Sequence, residues 1–113
     1  MQQSLEEELT RAGIAFEREV RLSPADRIDF LIGKIGVEMK TNGSFVEVVR
    51  QLQRYSTHER IGSLMLFTTS PKLLQMPRSI GSKRVHVAYA SVFGGELTIS
   101  TFSDLGGMGV DLG

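Results

Sequence analysis

The stretch RIDFLIGKIGVEMK, residues 27–40, leaves this chain little freedom. Two short apolar runs are separated only by Gly33 and Lys34. So short a connection joins antiparallel strands, and glycine at its first position suits a type II′ turn. Ile32 then faces Ile35, and the register of the whole pair follows. Counting back from the turn sets Asp29 directly opposite Glu38, on one face, with Cβ atoms ~4.5–5.5 Å apart. Lys40 shares that face, because side chains two apart on a strand lie on the same side. Ile28, Phe30, Val37 and Met39 are expected on the other face, towards the core.

Two facing carboxylates repel, and like charges opposite one another destabilise a sheet. Two arrangements offset this. Arg27 and Lys40 can thread the acids into a lattice of surface ion pairs, each worth little. Alternatively, the acids grip a divalent cation, and hard oxygen ligands suit Mg²⁺, which takes one or two carboxylates and keeps several waters. A lysine beside such a centre can orient an attacking water or offset charge developing on a phosphate. Spacing alone leaves both arrangements open.

The rest of the chain supplies partners for this hairpin. Leu5, Leu9 and Ala12 form one stripe of a short helix over residues 3–12, with Gly13 suited to its end. FEREVRL, residues 16–22, alternates as a half-buried strand does, and SPAD is a turn. The hairpin strands span 27–32 and 35–41. Ser44 and Glu47 have capping-box spacing, and Phe45, Val48, Val49 and Leu52 follow at helical spacing. SLMLFTT, residues 63–69, is nearly continuous in apolar character and reads as a strand covered on both faces. SPKLLQ reads as one helical turn, RVHVAYA (84–90) as a strand, and GGELTISTF as an added edge strand. The fold class is therefore α/β: a small mixed β-sheet with flanking helices, in the order α-β-β-β-α-β-β. A helix crossing from the third strand to the fourth makes those two parallel neighbours. One domain is expected over 1–102, followed by a flexible Gly-rich tail over 103–113.

Composition narrows the function classes. The 113 residues contain no cysteine, so disulfides, thiolate zinc sites and cysteine nucleophiles are excluded. No apolar run is long enough to span a bilayer, so no membrane association is expected. The N-terminal residues lack the pattern of a signal peptide, which makes the cytoplasm the default location. Net charge is zero but uneven: residues 30–90 carry nine Lys and Arg against three acids, a balance that suits phosphates. Arg50 and Arg54 occupy the helix face opposite the apolar stripe, as phosphate contacts or as solvated surface residues. His58 reads as a C-terminal cap and His86 as a strand residue. GSKR lacks phosphate-loop spacing, and the Ser and Thr of TTS have no His/Asp partners in pattern.

Asp29, eight residues, then Glu38-Met39-Lys40 resembles the D-xn-E-x-K core of the PD-(D/E)XK nuclease superfamily. Gln51-x-x-x-Tyr55 is similar to the Gln-x-x-x-Tyr motif of RecB-type nucleases, and VEMKTNGSFVEVVRQLQRY resembles compact VRR-NUC and Holliday-junction-resolvase-like members from phages and bacteria. The resemblance covers residues 3–90 and implies a restriction-endonuclease-like core. It further implies a Mg²⁺- or Mn²⁺-dependent deoxyribonuclease, a DNA partner and a homodimer presenting two sites. By resemblance Asp29 and Glu38 are metal ligands, Met39 lends a carbonyl, and Lys40 contacts the attacking water and phosphate. Gln51 and Tyr55 reach the same edge of the site. Many members add a glutamate from the first helix; among Glu6, Glu7 and Glu8, Glu8 beside the apolar stripe is the candidate. The proline that precedes the aspartate in the family is Ile28 here. The alternative is a nuclease-fold module that binds nucleic acid or a protein partner without cutting.

Overall fold

The computed structural model describes residues 2–93 and 96–102, with side chains described over 2–90. The expected tail at 103–113 lies outside the described residues. The elements are α1 (Gln2–Arg11), β1 (Glu17–Arg21), β2 (Arg27–Ile32), β3 (Ile35–Lys40), α2 (Phe45–Tyr55) and β4 (Ser63–Thr68). A 3₁₀ turn (Pro71–Gln75), β5 (Ser79–Ile80), β6 (Lys83–Phe93) and β7 (Glu96–Phe102) follow. They form the small mixed sheet with flanking helices read from the sequence. The one unread strand is β5, two residues long and too short for any periodicity to register.

All seven strands join one sheet, ordered β1-β2-β3-β4-β6-β5, with β7 also on β6. β3 and β4 run parallel, as the intervening α2 requires, and so do β4 and β6. Gly33 takes φ 62, and Lys34 has no positive φ, as a type II′ turn asks. The hairpin register pairs Ile32 with Ile35, Leu31 with Gly36 and Phe30 with Val37.

The sheet is covered on both faces. α1 sits on one, where Leu9, Phe30 and Val37 are buried with Leu5, Phe16, Met39, Met65 and Phe67 packed around them. α2 covers the other with Val48, Leu52 and Tyr55, against Ile28, Leu31, Leu64, Leu66, Val85 and Val87. β4 serves both layers, which explains its unbroken apolar run. Gly36 permits the second layer to close. A Cβ there would lie 2.6 Å from Ile28 Cδ1 and 2.7 Å from Ile61 Cδ1, and both isoleucines are fully buried.

One expectation about facing is corrected. Ile28 and Phe30 were expected on the same side, yet Ile28 packs under α2 and Phe30 under α1. The alternation slips by one at Asp29. The neighbouring strand breaks at the same level: Arg18 pairs with Phe30 and Val20 with Ile28, while Glu19 between them makes no ladder pair and takes φ 50. A non-glycine residue in the left-handed region costs on the order of 1–3 kcal/mol, so the surrounding strands hold it there.

Candidate active site

The slip at Asp29 shapes the site. In a two-residue hairpin closed by Ile32 and Ile35, every second pair exchanges main-chain bonds, so Met39 N–H would reach the Ile28 carbonyl. The observed ladder stops at Phe30–Val37. Met39 N–H donates instead to Asp29 Oδ2 at 2.8 Å. A side chain has replaced a main-chain acceptor, and β2 and β3 part at that point. β3 beyond the break stays paired to β4, Glu38 beside Leu66 and Lys40 beside Thr68, so its side chains remain fixed.

Glu38 projects to the α2 side, since its neighbours Val37 and Met39 belong to the α1 layer. Only 4% of the residue is exposed. Oε2 lies 3.5 Å from Lys40 Nζ. Oε1 is buried with no hydrogen-bond partner. Burial, and next the Asp29 charge, push Glu38 from 4.5 up to about 7, against the pull of Lys40 and of the Asp29 main-chain N–H, which approaches the carboxylate without a well-formed hydrogen bond to Oε1. Burial also raises Asp29, with the Met39 amide and Lys40 opposing it and Glu19 adding to it. The two acids and the lysine are thus neighbours, but Asp29 and Glu38 are not the facing ladder pair expected from the turn, because the pairing ends at Phe30–Val37.

Gln51 and Tyr55 are brought together too, but in another capacity than expected. Gln51 Nε2 donates to Tyr55 Oη at 2.7 Å, and Tyr55 O–H donates to the Arg27 carbonyl at 3.0 Å. Tyr55 is 1% exposed, so its hydroxyl is sealed from any substrate. Burial raises its pKa, and the charges of Glu38, Asp29 and Asp26 add to the rise. Tyr55 is a positioning residue that ties α2 to the start of β2. Gln51 remains half-buried and lines an open cavity of about 350 Å³ with Met39, Lys40, Thr41, Asn42 and Glu47. The two acids do not line this cavity; Met39 and Lys40 connect it to them.

Glu8 does not reach the site. It is exposed and ion-paired with Arg11 on α1, which packs on the sheet face opposite Glu38. Glu6 bonds Arg18 at 2.8 Å instead. Among the described residues no three His, Asp or Glu side chains gather to hold a metal between them. The ligand oxygens brought together are those of the Asp29 and Glu38 carboxylates; the Met39 contact at this level is its N–H on Asp29. That all-oxygen set, with a buried carboxylate oxygen lacking a partner, fits a hard cation that keeps most of its waters.

Sequence reading missed Asp26. It closes the 23–26 turn and is 7% exposed. Arg54 Nε reaches its Oδ1 at 3.0 Å, and His58 Nε2 its Oδ2 at 3.4 Å. The His58 side chain therefore bonds this acid rather than capping α2. The Arg54 hydrogen bond leads the effects that hold Asp26 below the ordinary carboxylate value. A lone turn aspartate carries no spacing signal; only the packing of the α2 end against the turn reveals it. No protein-family model matches the chain, and neither a curated protein nor a solved structure matches it.

Proposed function

We propose that this chain is a Mg²⁺- or Mn²⁺-dependent nuclease of the PD-(D/E)XK kind, hydrolysing DNA phosphodiester bonds as a small, structure-specific, resolvase-like endonuclease. The reading takes the sheet as a restriction-endonuclease-like core over residues 1–102 and the working form as a cytoplasmic homodimer. The observation that carries it is Glu38: a buried acid beside a second acid, with one oxygen unpartnered and a lysine 3.5 Å from the other. A surface ion-pair lattice would leave neither the burial nor the orphaned oxygen.

Asp29, Glu38 and the Met39 carbonyl would hold the cation, which when bound supplies a Lewis acid and a water of lowered pKa. Asp29 is oriented by the Met39 amide before anything binds. Glu38, raised to about 7, would have to be deprotonated to serve as a ligand. Lys40, partly buried against Glu38, keeps Nζ at the edge of the open cavity, where it can align the attacking water and meet charge on a phosphate oxygen. Gln51 reaches the same cavity from α2.

The exposed Glu8 favours a second reading, a module that binds nucleic acid or a protein partner without cutting, since among the described residues no third acid joins the pair. Plasmid, branched DNA and RNA incubated with Mg²⁺ or Mn²⁺ decide between them. The wild type is expected to cut DNA, and Lys40→Ala to cut about 10²–10³-fold more slowly while still binding it. A wild type that cuts nothing with either ion removes the enzymatic reading.

A further inference from the structure

The outer flank of α2 carries a second feature that the hydrolytic reading does not use. An open cavity of about 620 Å³ is lined by Asp26, Arg50, Gln53, Arg54, Thr57 and His58. Its one acid is already engaged on both oxygens, by Arg54 and by His58. Arg54 makes that contact through Nε, and its side chain is 54% exposed. Its two terminal nitrogens have no bonded partner among the described residues, so the guanidinium is anchored on one edge and open on the other. Arg50 is exposed and has no ion-pair partner among the described residues. The lining thus presents two guanidiniums, an imidazole, an amide and a hydroxyl, with negative charge for only one of the cations.

The geometry points to this cavity as a phosphate-binding groove that takes the sugar–phosphate backbone of a nucleic-acid strand next to the carboxylate pair. An arginine fork held at Nε keeps the paired donors that match phosphate oxygens, at reduced entropic cost. Anchoring explains why a half-exposed arginine should be bonded to a buried acid at all: Asp26 fixes Arg54 and His58 to the β1–β2 turn without covering them. The groove and the cavity beside Lys40 share α2: Glu47 and Gln51 line the cavity with Lys40, and Arg50, Gln53 and Arg54 line the groove. A strand whose reacting phosphate lies at Lys40 would have neighbouring phosphates along α2 at Arg50 and Arg54. The choice of ligand rests on the nuclease reading, but the groove itself is testable without cutting.

Fluorescence anisotropy in EDTA, with labelled single-stranded DNA, duplex DNA and RNA over a salt series, makes the test. Arg50→Ala is expected to weaken binding of the preferred nucleic acid and to reduce the slope of log K against log salt by about one. Arg11→Ala, an exposed arginine on α1 across the sheet from α2, is expected to leave the slope unchanged. Millimolar inorganic phosphate as competitor separates recognition of a strand from capture of a free anion: strand binding should persist. Equal affinity and slope for wild type and Arg50→Ala in all three arms would overturn the groove, as would loss of strand binding to phosphate alone. A protein that shows the Arg50-dependent slope but cuts nothing keeps the groove and loses the hydrolytic reading. A protein that cuts with Arg50-independent binding does the reverse.

Discussion

Glu38 is the residue where stability and function conflict. Its carboxyl is ordinary in the unfolded chain, at 4.5, and raised to about 7 in the fold. Between those values the unfolded chain has released a proton that the folded protein still holds. Metal-free stability therefore falls as pH rises through that window, by on the order of 3 kcal/mol in all. Asp29, also raised, acts in the same direction. Asp26 acts oppositely at lower pH: its folded value is lowered, so its contribution is lost as pH falls. Urea unfolding of the metal-free protein from pH 4.5 to 8 should show the decline, and Glu38→Gln should largely flatten it. An undiminished decline in the variant would mean that Glu38 is not the buried acid responsible.

At the scale of elements, the site is made by a hairpin that does not finish its ladder. The break costs one main-chain pairing at Met39, which Asp29 restores with its side chain, and it imposes a left-handed residue at Glu19 on the adjacent strand. Glu19 has only loose ion pairs, 3.6 Å to Arg18 and 3.9 Å to Arg27. Glycine adopts such a φ without a Cβ clash. Glu19→Gly should therefore be stabilising or neutral, by up to about 1 kcal/mol, despite losing both ion pairs. A thermal melt that shows Glu19→Gly destabilised by more than about 1 kcal/mol would mean that those pairs, not the strand break, hold the residue. On the opposite side of the site α2 is firmly begun: the Ser44 hydroxyl accepts from Glu47 N–H at 3.0 Å. Its far end is tied down by Tyr55 on Arg27 and by Arg54 on Asp26. The helix that carries Gln51, Arg50 and Arg54 is thus fixed at both ends relative to the carboxylates.

Across the whole molecule, the neutral net charge conceals a division of labour. Glu17 neutralises Arg60, Glu6 neutralises Arg18 on the α1 side, and Lys40 pairs with Glu38, while Arg50 on the α2 side has no ion-pair partner among the described residues. No helix among the described residues is long and apolar enough to cross a membrane. Cation binding to a folded but not an unfolded pair of acids should stabilise the entire chain, by about 2.7 kcal/mol at a hundredfold excess over Kd. Mg²⁺ or Mn²⁺ should therefore raise Tm by several degrees in the wild type and have no such effect in Asp29→Asn or Glu38→Gln. A wild-type Tm indifferent to both ions would remove the cation from this site.

The sequence alone determined whatever depends on neighbours along the chain. The two-residue bend at Gly33-Lys34 set the hairpin register as far as Phe30–Val37, and the Ser44–Glu47 spacing set the start of α2. The parallel pairing of β3 with β4 followed from the helix between them. These are local rules, in which one turn or cap dictates the next few residues. Only the tertiary structure decided the rest. It buried Tyr55 under the sheet, turned Glu8 to solvent on the wrong face, split Ile28 from Phe30, and joined Asp26 to Arg54 and His58 across more than twenty-five residues. Each depends on which layers meet, and the free energy of that meeting lies in burial and desolvation, which no spacing along the chain records.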